Sequence, residues 1–184
     1  MLKAFLKSKL QTFEKTWNYD ASYQRFLVDA APVSAVKFGV AATMVDRAAA
    51  PAEALAAAGI VGTLAEDCGP CTQIGVDMAA AGGVKPQVLR AILKGEVEAM
   101  GEDAALAYRF AKASLARDME TADPLRDEIV RRWGDKGLAA VALSITTARM
   151  YPTLKYALGY GKACSRVMVE GAPAPLGLRP QLAA

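Results

Sequence analysis

Along almost the whole of this 184-residue chain, apolar residues recur at steps of three and four, and no run alternates convincingly with period two. The pattern predicts an all-α fold of about eight helices and leaves no room for a strand–helix–strand rhythm. Leu2, Phe5, Leu6, Leu10, Phe13 and Trp17 form the first stripe, so residues 1–20 read as an amphipathic helix with lysines off the stripe. Tyr23, Phe26, Leu27 and Ala30 follow and are stopped by Pro32; Val33, Val36, Val40 and Met44 then share one face.

The segment after Pro51 is rich in alanine, the strongest helix former, and its small residues permit close helix approach. After Cys71 a helix closes on Gly82 and Gly83, and Pro86 opens another that turns Leu89, Ile92 and Leu93 inward. Residues 103–119 continue the pattern. Asp123-Pro124 reads as an N-cap and first turn, and a further helix starts near Asp135. Tyr151-Pro152 reads as an interruption before a last helix carrying Leu154, Ala157, Cys164 and Met168. Residues 1–170 are thus expected to be a single domain, and the Pro-rich stretch 171–184 an extended tail.

Several functions are excluded by what the chain lacks. It has no histidine and only three cysteines, so neither a Cys/His zinc site nor a Ser-His-Asp or Cys-His pair can be assembled in one subunit. Twenty-two basic against 19 acidic residues give a net charge of +3, spread along the chain and too weak to suggest nucleic acid. The N-terminus lacks a secretory apolar core, and charged residues break every long apolar stretch, so a cytoplasmic protein is expected.

In a reducing compartment a close cysteine pair points to chemistry rather than to a structural staple. Cys68 and Cys71 are separated by Gly69 and Pro70. The pair follows an Ala-rich helix with no strand nearby, which argues against a thioredoxin. Pro70 favours a first helical turn and so places Cys68 near an N-cap, where backbone N–H groups stabilise a thiolate. Glu66 and Asp67 precede the pair and oppose that effect by like-charge repulsion. The sequence leaves both effects open. Glu66 is also a candidate for moving protons to the pair, beside the plainer reading that it ends a helix.

The segment order carries a resemblance. A helix, then Cys68-x-x-Cys71, then a helix bearing "KPQVLRAILKGE", is similar to the carboxymuconolactone decarboxylase and alkyl hydroperoxidase D-like family. Residues 102–151 look like the second half of that family's unit, and the likeness covers roughly 33–168. It implies a homo-oligomer that needs no cofactor, works on a peroxide or disulfide, and is recycled by a thiol reductant, either a protein or a small thiol. In redox members the second cysteine attacks peroxide and the first resolves the sulfenic acid, so Cys71 and Cys68 take those positions.

The family's proton relay does not carry over. Its glutamate position falls on Ala56 and its histidine position on Gly75. Glu53 and Gln73 lie nearby but off the motif. Without a relay, a thiol at its ordinary pKa near 8.5 is only a few per cent ionised at neutral pH. Thiol–disulfide exchange or weak hydroperoxide reduction is therefore the expected activity. A catalytically silent relative acting as a binding or scaffold protein is the alternative. A third reading lays the Phe5–Phe13–Trp17 stripe on a membrane surface, though packing on the body or on another subunit is favoured. Tyr151, Tyr156 and Tyr160 read as a helix seam, with the further option that a buried hydroxyl serves the thiols. Cys164 reads as a buried, inert thiol.

Overall fold

The alanine-rich stretch after Pro51 becomes the central helix of the molecule. The computed structural model describes residues 1–161 and 167–176. Its helices are α1 (Leu2–Trp17), α2 (Ser22–Ala30), α3 (Pro32–Val40), α4 (Ala52–Ala65), α5 (Gly69–Ala81), α6 (Pro86–Lys94), α7 (Glu102–Ala116) and α8 (Met119–Ala157). The chain is all-α, with eight α-helices among the described residues. No helix among them is long and apolar enough to cross a membrane.

Small side chains set the spacing at the centre. Ala54, Ala57 and Ala58 are fully buried in α4, which packs against both α7 and α8. A Cβ on Gly62 would stand 2.9 Å from the carbonyl oxygen of Ile145 and 3.2 Å from Cβ of Ala148, so the α4–α8 approach requires glycine there. Around this seam Ile60, Leu89, Ile92, Ile129 and Val141 fill the main core. Burying each such side chain contributes about 1.5–3 kcal/mol.

The N-terminal helices are held differently. Neither α1 nor α3 has a fully buried residue. The Val33–Val36–Val40–Met44 row does share a face, but Val33 is 63% and Val40 56% exposed. Phe13 and Trp17 pack on a second, smaller cluster built on Tyr19, Ala21 and Tyr23, whereas Phe5 stays exposed.

Three boundaries differ from the sequence reading. First, α8 starts at Asp118, whose carboxylate accepts the Thr121 N–H at 3.1 Å, and not at Asp123-Pro124. Its break comes at Gly134 (φ 69°, ψ −177°), just before the Asp135 restart. Second, α8 continues through Pro152, which is buried. Its burial offsets the one backbone hydrogen bond that a proline removes. Third, α8 stops at Ala157, and Met168 lies in a strand. Strand β1 (Met168–Val169) pairs antiparallel with β2 (Ala172–Pro173), Met168 opposite Pro173. The beginning of the Pro-rich tail therefore folds back, and Val167, Val169 and Ala174 join the main core. Cys164 and the tail beyond 176 lie outside the described residues.

Candidate functional site

Cys68 is the N-cap of α5, with Gly69 and Pro70 in the first turn. Its backbone is extended (φ −105°, ψ 91°), and its sulfur accepts the Cys71 N–H at 3.3 Å. The turn is tied again by Thr72, whose N–H and hydroxyl both donate to the Cys68 carbonyl, at 2.9 and 3.0 Å. One helical turn thus brings the two sulfurs together, and they form a disulfide across a Cα–Cα distance of 5.2 Å. Each cysteine is 3% exposed.

The acidic residues before the pair have other engagements. Glu66 caps the end of α4, and its carboxylate takes the Arg149 guanidinium at 2.6 Å and the Thr153 hydroxyl at 3.4 Å. Arg149 compensates the Glu66 charge, which weakens its repulsion of a thiolate at Cys68. Asp67 takes a left-handed backbone (φ 49°), and its carbonyl accepts the Tyr156 hydroxyl at 2.9 Å. Gln73 donates to Asp77 at 2.7 Å and to the Met168 carbonyl at 3.1 Å, and accepts the Met168 N–H at 2.5 Å. It fastens the C-terminal hairpin to α5.

Cys71 faces a half-open cavity of about 840 Å³ between α1–α3 on one side and α4, α5 and α8 on the other. Ala56 and Gly75 line the same cavity. The two positions where the resemblance would put a relay thus look onto the space before Cys71 and carry an alanine and a glycine. Nothing lies within 4 Å of where a Gly75 Cβ would be, and its backbone is helical.

A tyrosine hydroxyl stands beside the pair. The hydroxyl of Tyr19 lies 3.9 Å from Sγ of Cys71, within reach of an O–H···S interaction. Tyr19 sits in the corner after α1, where Asn18 turns left-handed (φ 46°). Glu14 holds this corner: its carboxylate accepts the Ala21 N–H at 2.8 Å and pairs with Arg25. Phe13 meets the Tyr19 ring edge-on at 6.0 Å, and the buried Lys155 ammonium stands 5.6 Å above it.

Tyr23, one turn further, is the hydrogen-bonding neighbour of Tyr19 and itself accepts from the Gln24 amide at 2.9 Å. Burial pushes the hydroxyls of Tyr19, Tyr23 and Tyr151 above the ordinary tyrosine value, so all three stay protonated through neutral pH. Burial moves Lys155 the other way, favouring its neutral form against the partial support of Asp20.

Of the tyrosines picked out by sequence, Tyr151 lines the cavity and packs on Phe38 at 4.9 Å. Tyr156 bonds to the Asp67 carbonyl and Tyr160 leans on Phe26 at 6.4 Å. The hydroxyl beside the thiol belongs to Tyr19, 52 residues before Cys71, and no motif spacing marks it. Among the described residues no group of three Cys, Asp or Glu side chains is arranged to hold a metal ion.

Chemically, the arrangement offers a dithiol at a helix N-terminus, a protonated hydroxyl beside one sulfur, and an apolar chamber in front of it. Against this geometry, no family model, no curated protein and no solved structure matches the chain.

Proposed function

We propose that the protein is a thiol–disulfide oxidoreductase of the alkyl hydroperoxidase D-like kind, reducing organic hydroperoxides slowly through Cys68 and Cys71. The observation that carries the reading is the position of Cys71, which joins a redox-capable pair to a large apolar chamber and touches Tyr19. Cys71, as thiolate, attacks the terminal oxygen of ROOH and the O–O bond breaks. The departing alkoxide takes the Tyr19 proton, which solvent replaces, and Cys71 is left as a sulfenic acid. Cys68 then attacks the Cys71 sulfur, and the hydroxyl leaves as water with the Cys68 proton. Two electrons have passed from two thiols to the peroxide, giving ROH, water and the disulfide. A thiol reductant restores the dithiol by exchange.

In this reading Tyr19 stands where the family's relay is missing. A hydrogen bond to sulfur favours the thiolate, and a neutral hydroxyl protonates the leaving group. Val33 and Met44, exposed and outside the chamber lining, support association with a second copy, since exposed apolar surface marks interaction sites.

The test follows cumene hydroperoxide consumption by the reduced protein in excess dithiothreitol. Cys71→Ser is expected to abolish turnover, and Cys68→Ser, reduced and then freed of dithiothreitol, to stop after one equivalent with a trappable sulfenic acid on Cys71. Peptide mapping that found no Cys68–Cys71 disulfide at any potential, or found Cys164 in it, would overturn the proposal.

A further inference from the structure

The chamber in front of Cys71 has a property that the cysteine chemistry does not use. At about 840 Å³ it lies toward the upper end of small-molecule sites, which run roughly 300–1,000 Å³. Helix α4 lines it from Ala52 to Thr63 and α5 from Cys71 to Gly82. At 1.5 Å per residue each wall is about 16 Å long. A peroxide as small as hydrogen peroxide has no use for such a length of apolar wall.

Charge in the lining is confined to Lys9 and Arg47, both exposed and neither in an ion pair among the described residues, the Lys9 ammonium standing 5.5 Å from the Phe5 ring. No acidic side chain lines the chamber. The link between α4 and α5 is only three residues long, so α5 begins where α4 ends. Cys71 therefore lies beside the C-terminal end of α4, whereas Arg47 precedes its N-terminal end. Lys9 is likewise two turns back along α1 from the corner that presents Tyr19. The chamber is long and apolar, with its cations displaced from its sulfur.

We propose that this chamber binds a long-chain carboxylate, the acyl chain lying along α4 and α5 toward Cys71 and the head group meeting Arg47 and Lys9. A neutral hydrocarbon leaves both cations unused, and a small anion leaves the apolar walls unfilled. The binding stands whether or not the cysteines turn over. Where the proposed function also holds, the substrate class is a long-chain acid bearing a hydroperoxide on its chain, delivered to Cys71 by the depth of the chamber; that last step rests on the redox reading.

Fluorescence titration of the full chain with cis-parinaric acid, a fluorescent long-chain carboxylate, tests it. Saturable binding at one site per chain, displaced by oleate, is expected, with oleyl alcohol a weaker competitor. Replacing both cations (Lys9→Gln with Arg47→Gln) is expected to weaken oleate about three- to tenfold, the scale of partly exposed ion pairs, and to leave oleyl alcohol unchanged. Gly75→Leu fills the Cys71 end and is expected to weaken oleate more than decanoate, with thermal melting confirming the fold.

No saturable binding to the natural protein, equal affinity for oleate and oleyl alcohol, or indifference to Gly75→Leu would each overturn the inference. Capture on phosphatidylglycerol vesicles without binding of monomeric oleate would overturn it in favour of a membrane surface. Binding and turnover are read separately on the natural protein: oleate binding without peroxide turnover removes only the redox reading, and turnover without oleate binding removes only this one.

Discussion

The bundle α4–α8 and the cover α1–α3 are built on opposite terms. In the bundle, alanines and glycines let helices close on one another, and large aliphatic side chains lock the remaining space. In the cover, α1 and α3 bury no side chain fully, and their apolar residues are divided between the chamber and solvent. Close packing leaves no space for a ligand, so a chamber of this size has to lie where packing stops. The bundle holds the cysteines still, and the cover brings the tyrosine and the cavity to them.

The largest effect tests that division of labour. If the cover supplies the proton donor, moving a relay into the bundle should make the cover's tyrosine dispensable. Ala56→Glu with Gly75→His is expected to raise hydroperoxide turnover by about 10²–10⁴-fold, the usual worth of general acid–base help. Adding Tyr19→Phe should then cost little, whereas Tyr19→Phe alone should lower the natural rate. A triple variant as impaired as Tyr19→Phe alone would show that Tyr19 does something other than donate a proton.

Next in size is the cost of deleting apolar atoms. Ile92→Ala, in the bundle, is expected to lose about 2–5 kcal/mol in urea unfolding. Val33→Asp, in the cover, should change the unfolding midpoint little and instead reduce the mass seen by light scattering, if a second copy covers that row. A large loss of stability from Val33→Asp without a change in mass would place the row inside the fold's own energetics.

One chemical change, glycine to alanine, should have opposite signs at two positions. At Gly62 the new methyl meets the Ile145 backbone, and the strain costs about 1–3 kcal/mol. At Gly75 it meets nothing, and the better helix propensity stabilises by up to about 1 kcal/mol. Equal signs in thermal melts would contradict the contrast between closed seam and open chamber.

The smallest effect is confined to alkaline solution. Above the ordinary tyrosine value of 10.0, the unfolded chain releases protons that folded Tyr19, Tyr23, Tyr108 and Tyr151 retain. The native state then binds more protons, so stability falls as pH rises through that value. Lys155 acts in the opposite direction, because its folded form favours the neutral amine below the ordinary lysine value. Four tyrosines against one lysine leave a net fall, and Tyr23→Phe should flatten it in denaturation curves taken between pH 9 and 11.

Much of the bundle was legible in the sequence because its signals are local. Alanine content, Pro51, Pro70 and Pro86 at helix starts, and the spacing of Leu89, Ile92 and Leu93 each act within a turn or two of themselves. Cys68 as an N-cap followed from Pro70 by the same logic. What escaped depends on distant partners. Pro152 breaks a helix in isolation and does not do so when buried, and Met168 leaves the helical pattern because Gln73, 95 residues earlier, takes both its backbone groups. Tyr19 reaches Cys71 only because the α1–α2 corner returns it there. The chamber is the least legible feature of all, since an absence of packing has no periodicity.

The Gln73 clasp bears on rate as well as on shape. It grips the turn that contains Cys71 from outside, while Thr72 grips it from within. A dithiol on a loose loop must search many conformations before its sulfurs meet, and each search is an entropic toll on ring closure. Here the backbone of both thiols is already held near its final course, so each sulfur experiences the other at a high effective molarity, of the kind that intramolecular reactions exploit. Loosening the hairpin with Gln73→Ala should therefore slow the closing of the disulfide while leaving the first attack on peroxide untouched.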